Sequence, residues 1–186
     1  MFKRKNGQHK AILISLALVF AVGLVLGTLA LYYVPDEILK EAKQTLELSD
    51  NRSFLALLKE NLCFEILWIL ALWIFGSNSF TAPFTGAVVA LRGFVLGFTW
   101  AFILNDDFGK GLLYTYVLPQ CVTALPTMSL VALICILYGR EKQHLDRGGS
   151  VDYLLYGIGF IFLAFLVAAS ESGLVFLIWK YFKIQA

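Results

Sequence analysis

Apolar residues in this chain occur in long runs, rather than in the alternating pattern of a half-buried strand or the three-to-four-residue pattern of an amphipathic helix. Apolar runs of roughly 18 or more residues are typical of helices that cross a membrane. The runs predict five spans, at about 11–34, 61–79, 82–104, 111–138 and 152–179. We therefore expect an all-α, polytopic integral membrane protein in which residues 1–186 form a single membrane domain in contact with membrane lipids.

The charges around the first run predict how the chain is oriented. Residues 1–10 carry four Lys or Arg and no acid, and 24 uncharged residues follow. This run is longer than the apolar region of a signal peptide, which has about 7–15 residues, so we expect an uncleaved anchor with a cytoplasmic N-terminus. The loop that holds Arg140, Lys142 and Arg147 agrees with this orientation, whereas two lysines near the C-terminus would lie outside.

Residues 35–60 are predicted to form a helical segment outside the cytoplasm. Pro35, Asp36 and Glu37 suit the first turn of a helix, where a proline is tolerated and acids meet the positive end of the helix dipole. A partial apolar stripe follows, which is a candidate docking surface for a partner: Ile38, Leu39, Ala42 and Leu46. The segment could equally lie on the membrane surface or serve as a solvated connector.

Composition excludes several classes of function. The net charge of +2 is too small to indicate nucleic-acid binding. The three cysteines and two histidines show no metal-ligand spacing, so neither a metal nor a cofactor is expected. No span pairs a nucleophile with a base, and an enzyme is therefore not predicted.

One charged residue, Arg92, interrupts the third span near its centre. A charge at that depth costs about 2.5–3.5 kcal/mol on insertion scales, so it requires a partner or a water-filled cavity. Glu171, slightly outward of the middle of the fifth span, is the first choice for an ion pair with Arg92, because a long arginine side chain covers that offset. Glu65, predicted near the outer end of the second span, is the second choice.

Glycines and prolines mark two further features of the spans. Two GxxxG motifs allow close approach of helix backbones, either within one chain or between copies in a homo-oligomer: Gly23 with Gly27, and Gly93 with Gly97. In the fourth span Pro119 and Pro126 are predicted to kink the helix, and Gln120 is a candidate to satisfy the freed carbonyl groups. The kink is either purely structural or a broken helix around a substrate site.

The middle fifth of the chain resembles the core of the stage II sporulation protein M family. The resemblance rests on Arg92-Gly93 and Gly97-Phe98 in the third span, the turn Gly109-Lys110-Gly111, and Pro119-Gln120 with Pro126 in the fourth. The wider family often has a Pro-His-Gly-x-x-Glu-x-Pro-Ala motif in that span. Here Gln120, Cys121, Ala124 and Thr127 occupy the corresponding positions, which is similar to the sporulation branch.

The resemblance implies a multi-pass protein of the bacterial cell membrane that acts at the septal and engulfing membrane of the mother cell. Its partners would be the stage II sporulation proteins D and P, which degrade peptidoglycan. The favoured function is a non-enzymatic scaffold that recruits or localises these partners during forespore engulfment. The alternative is a small transporter or channel subunit in which Arg92, Gln120 and Glu171 line a path.

Overall fold

The computed structural model of the protein describes residues 2–47, 53–76, 80–105, 117–141 and 149–182. Over these ranges the chain forms helices and turns and no strand, which confirms the predicted all-α class. The described ranges contain six α-helices: α1 (Phe2–Ala30), α2 (Asp36–Glu47), α3 (Phe54–Gly76), α4 (Ala82–Asn105), α5 (Leu125–Glu141) and α6 (Gly149–Phe182). A 3-10 turn at Leu31–Tyr33 extends α1, and a π-helical segment at Gln120–Ala124 precedes α5.

Four helical stretches in the described ranges are long and apolar enough to cross a membrane: Lys10–Tyr33, Pro83–Asn105, Gln120–Tyr138 and Leu155–Ile178. They confirm that the chain is polytopic. Helix α3 has 23 residues but carries Lys59, Glu60 and Glu65, and it is not among the four. The count of five spans and the cytoplasmic N-terminus stay predictions.

Helix α3 starts earlier than the apolar pattern predicts. It begins at Phe54, whereas the second span was expected to begin at 61, so residues 54–60 are continuous with the helix that contains that span. The difference arises because Lys59 and Glu60 interrupt the hydropathy of the chain without interrupting the helix. As a result, Glu65 lies at the midpoint of α3 rather than near its end.

Helix α2 lies apart from the bundle and carries the predicted apolar stripe. It makes few contacts with the other described helices. Ile38 is 56% exposed and Leu39 is half-buried, while the side chains of Ala42 and Leu46 lie outside the described part of the structure. Tyr32 and Tyr33, just before α2, are also exposed, and tyrosines are common where a helix leaves a membrane.

The bundle is built around the antiparallel pair α3 and α4. Helix α1 runs along α4, helix α6 runs along α3, and α5 packs against both α3 and α4. Large apolar side chains of α1 and α6 point outward, as expected for helices that face lipid, among them Leu18, Val25, Ile158 and Phe162. Glu65 of α3 and Arg92 of α4 are thereby enclosed, whereas Lys59 and Glu60 of α3 stay exposed.

The two GxxxG motifs pack against each other within one chain. A Cβ atom added at Gly23 or Gly27 would overlap the carbonyl oxygen of Ala90 or Phe94 in α4. In the reverse direction, a Cβ at Gly93 or Gly97 would overlap the carbonyl oxygen of Phe20 or Leu24 in α1. Of the two readings of these motifs, the structure therefore shows the intramolecular one, and these faces are not free for a second copy.

An apolar core fills the part of the bundle towards the N-terminus of α1. Its most enclosed members come from α3, α5 and α6 and have essentially no exposed surface: Ile69, Leu72, Val131, Ala132, Cys135 and Ala164. Cys135 lies against Gly76, where any larger residue would overlap its side chain. The cysteine thus acts as a small buried apolar residue.

Candidate functional site

A second region, which we call the polar cluster, lies where α3, α4, α6 and the π-helical segment meet. It extends from the middle of the bundle away from the apolar core. Its members are Asn61, Glu65, Arg92, Thr123, Glu171 and Ser172. Arg92, Glu65 and Glu171 are between 1% and 3% exposed. Charged side chains this deeply enclosed are rare in membrane helices and are a default candidate for function.

Arg92 and Glu65 form a direct ion pair at the centre of the bundle. Nη2 of Arg92 donates a hydrogen bond to Oε1 of Glu65 over 2.7 Å. Glu65 is the twelfth of the 23 residues of α3, and Arg92 is the eleventh of the 24 residues of α4. Because the two helices are antiparallel and packed together, both residues reach the same depth.

Two aromatic rings of α3 hold the guanidinium group of Arg92 in place. Its Cζ atom lies 4.4 Å from the centre of the Phe64 ring and 5.5 Å from that of the Trp68 ring. The rings themselves meet edge to face at 5.9 Å. A cation over an aromatic face is stabilised by about 2 kcal/mol or more when water is excluded. Arg92 is therefore bound by α3 through both a carboxylate and two rings.

The first-choice partner from the sequence, Glu171, is not the residue that pairs with Arg92. The prediction was wrong because it placed Glu65 near the end of its helix, whereas the earlier start of α3 brings Glu65 level with Arg92. Glu171 lies within electrostatic range of both residues. Its Oε1 atom lies 3.4 Å from the hydroxyl of Thr123.

Two hydroxyl groups link α6 to its neighbours. Ser172 donates to the carbonyl oxygen of Ala168, at 2.8 Å, and accepts a hydrogen bond from Nδ2 of Asn61 in α3, at 3.1 Å. The hydroxyl of Thr123 lies 2.7 Å from the carbonyl oxygen of Pro119 in its own helix. The contacts around Glu171 and Ser172 thus join α6 to both the π-helical segment and α3.

Where the sequence predicts a kink in the fourth span, the structure has a π-helical segment between the two prolines. Pro119 is buried and immediately precedes the segment, and Pro126 follows it after one intervening residue. Thr123 and Thr127 bond to carbonyl oxygens one turn back, those of Pro119 and Thr123. These threonines, rather than Gln120, supply the side-chain hydrogen bonds to the backbone here, and π-helical turns recur at functional sites.

Three buried side-chain donors in the described residues have no hydrogen-bond partner: Nη1 of Arg92, Nε1 of Trp68 and Oγ1 of Thr85. Unsatisfied donors of this kind are uncommon in native proteins. Nη1 of Arg92 is the most relevant of them, because the same guanidinium group bonds to Glu65 through its other terminal nitrogen. Arg92 thus retains one free donor inside the polar cluster.

Sequence reasoning found the charged residues of the cluster but missed most of the groups around them. In the sequence, Phe64 and Trp68 are simply apolar positions of a span, although in the structure both rings contact the guanidinium group that pairs with Glu65. Thr123, between two prolines, was the one available signal for a polar contact to the fifth span. The turn Gly109-Lys110-Gly111 lies outside the described residues.

The geometry of the polar cluster is one of ion pairing and helix packing. Glu65 is committed to Arg92, and no group of three or more potential metal ligands occurs in the described part of the chain. The hydroxyls near Glu171 bond to backbone carbonyl oxygens of their own helices. Such an arrangement fixes the relative position of four helices.

A bundle of long apolar helices around a buried ion pair defines a polytopic membrane protein. Its sequence over residues 16–177 matches the model of the family described as Stage II sporulation protein M. The chain belongs to this family, since the match covers most of its length. No curated protein and no solved structure gives a significant match.

Proposed function

We propose that this member of the family is a non-enzymatic membrane scaffold that recruits or localises peptidoglycan-degrading proteins during forespore engulfment. Family membership makes it a sporulation-related membrane protein. The observation that supports a scaffold is the closed pairing of Arg92 with Glu65, at 2.7 Å and with 2% and 1% of the side chains exposed. A transport path would require such residues to face water instead.

The proposed partners are the stage II sporulation proteins D and P, which the family resemblance implies. The surface proposed to meet them is the apolar stripe of α2, because α2 lies apart from the bundle and leaves Ile38 exposed. An amphipathic helix presented in this way suits a groove on another protein. The proposed location is the septal and engulfing membrane.

Affinity capture from sporulating cells tests the scaffold. A variant with Ser at the four stripe positions (Ile38, Leu39, Ala42 and Leu46) should lose the two hydrolase partners while keeping normal abundance in the membrane. Lys40→Ser is the matched control, since Lys40 is an exposed polar residue of the same helix. Equal capture by the stripe variant would contradict docking through α2, and absence of both hydrolases from the wild-type capture would contradict the scaffold.

A second candidate function is a small transporter or channel subunit. One observation favours it: Glu171 is a second buried acid beside a proline-framed π-helical segment, and broken helices with intramembrane acids occur in transporters. Ion flux into liposomes that contain the purified protein, abolished by Glu171→Leu, would support this candidate over the scaffold.

A further inference from the structure

We propose that Glu171 is a proton-binding site within the membrane, and that its carboxyl group is neutral and directs its proton to the hydroxyl of Thr123. Proton loss would release this contact and let the carboxylate turn to the free Nη1 of Arg92. The ligand is thus a proton, bound between α6 and the π-helical segment. This inference goes beyond the scaffold and does not depend on any partner.

The hydroxyl of Thr123 has two polar neighbours but only one proton to donate. A threonine hydroxyl has one proton to donate and lone pairs to accept with. At 2.7 Å the carbonyl oxygen of Pro119, which can only accept, takes that proton. The contact of 3.4 Å between the same hydroxyl and Oε1 of Glu171 is longer than a usual O–H···O bond, and with the hydroxyl proton already bonded to Pro119 it can become a good one only if a protonated carboxyl group donates.

Ser172 shows the same arrangement with the side-chain amide nitrogen of Asn61, which is a hydrogen-bond donor. Its hydroxyl donates to the carbonyl oxygen of Ala168, four residues back, and accepts from the amide group of Asn61 on another helix. Thr123 likewise bonds to a carbonyl oxygen four residues back and meets a side chain of another helix. By analogy, Glu171 occupies the position of the donor.

A second argument is the charge of the polar cluster. Among the described residues, Glu65 from α3 and Arg92 from α4 act electrostatically on Glu171, and the π-helical segment contributes the uncharged hydroxyl of Thr123. With both acids ionised, this enclosed cluster would carry one net negative charge, whereas a neutral Glu171 leaves the Arg92–Glu65 pair balanced. Burial of an uncompensated charge is strongly unfavourable, and a buried group neutralises instead.

The unsatisfied donor Nη1 of Arg92 also indicates a neutral Glu171. An ionised Glu171 within electrostatic range would be drawn to an unsatisfied guanidinium nitrogen, because such bonds are the strong ones. Nη1 of Arg92 nevertheless has no partner, and Glu171 is placed against Thr123 instead. A neutral carboxyl group accounts for both observations.

Infrared difference spectroscopy of the purified protein in lipid bilayers at neutral pH tests the proposal directly. Subtracting the spectrum of Glu171→Gln from that of the wild type should reveal the carbonyl stretch of a protonated carboxylic acid. Subtracting that of Glu65→Gln, the matched control, should reveal carboxylate bands instead. Carboxylate bands in the Glu171 difference spectrum would overturn the proposal.

Two further variants locate the hydrogen bond. Thr123→Val should shift the carbonyl stretch of the protonated Glu171, because the acceptor of its proton is removed. Thr127→Val is the control, since that hydroxyl bonds to the carbonyl oxygen of Thr123 and not to Glu171. An unshifted band in Thr123→Val, or an equal shift in both, would rule out Thr123 as the acceptor.

Abundance in the membrane provides a test that needs no purified protein. Glutamine resembles a neutral glutamic acid, so Glu171→Gln should keep abundance within about twofold of the wild type, whereas Glu65→Gln should lower it several-fold by leaving Arg92 without its charged partner. If both changes lower abundance equally, Glu171 is an ionised member of the cluster and the proposal fails.

Discussion

The apolar core and the polar cluster lie in the same bundle and use the same pair of helices, α3 and α4, yet they stabilise it differently. In the core, Leu72, Val88 and Val89 are buried, and their apolar side chains form no hydrogen bonds. In the cluster, Glu65 and Arg92 are equally enclosed but bond to each other. Lipid is as apolar as leucine, so the core is favoured mainly through close packing.

The two regions determine different properties of the bundle. Apolar side chains of similar size tolerate rearrangement, and a core alone tolerates more than one alignment of its helices. An ion pair between helix midpoints has only one satisfactory alignment, since a shift of one turn, about 5.4 Å, would separate the charges. The cluster therefore fixes how α3 and α4 are aligned, and the core fills the space that this alignment creates.

The largest expected effect comes from breaking the close backbone contact between α1 and α4 at the glycines. Gly97→Leu should lower stability by more than about 4 kcal/mol, because the new side chain would collide with the backbone of Leu24 and force the helices apart. Thermal denaturation in detergent and abundance in the membrane measure this. Gly159→Leu is the control, since nothing lies within 4 Å of a Cβ at that position; equal loss in both would contradict the packing described.

A truncation in the apolar core should have the next largest effect. Leu72→Ala should cost about 2 kcal/mol or more, because Leu72 is fully enclosed and the neighbouring helices cannot close the cavity. Leu67→Ala, at a position that is 65% exposed, should change stability by less than about 0.5 kcal/mol. Similar losses for the two would mean that packing does not distinguish core from lipid-facing positions.

The smallest effect is expected at the edge of the polar cluster. Asn61→Ala should cost about 0.6 kcal/mol, the average for a hydrogen bond between membrane helices. The loss should vanish when Ser172 is already Ala, because the bond between these two side chains is then absent. Ser170→Ala is the control, as that hydroxyl bonds only to carbonyl oxygens of its own helix; coupling of Asn61 to Ser170 instead would be inconsistent with the structure.

Much of the fold follows from the sequence because hydropathy and helix length are properties of single segments. The runs around Gly23, Arg92 and Phe162 predict helices that cross a membrane, and four such helices are present in the described ranges. The start of α3 could not be read in this way, since Lys59 and Glu60 reduce hydropathy but suit a helix. That single boundary changed the expected partner of Arg92.

The candidate site was harder to predict because it depends on which faces meet. A charge at the centre of a span requires a partner, and that requirement identified Arg92, Glu65 and Glu171. The choice among acids depended on depth to within one turn. The role of Thr123 depended on the π-helical segment, whose geometry no local pattern specifies. For the unpaired hydroxyl of Thr85 the sequence carries no signal at all.

Whether Arg92 and Glu65 are paired within a closed bundle can be measured by a double-mutant cycle. Arg92→Leu and Glu65→Leu, each made alone, should lower the free energy of unfolding by about 3–5 kcal/mol, because each leaves a buried charge without its partner. The double variant should recover most of that loss. Additive losses would contradict the pairing of Arg92 with Glu65. So would a result in which Glu171→Leu, and not Glu65→Leu, restores the stability of Arg92→Leu.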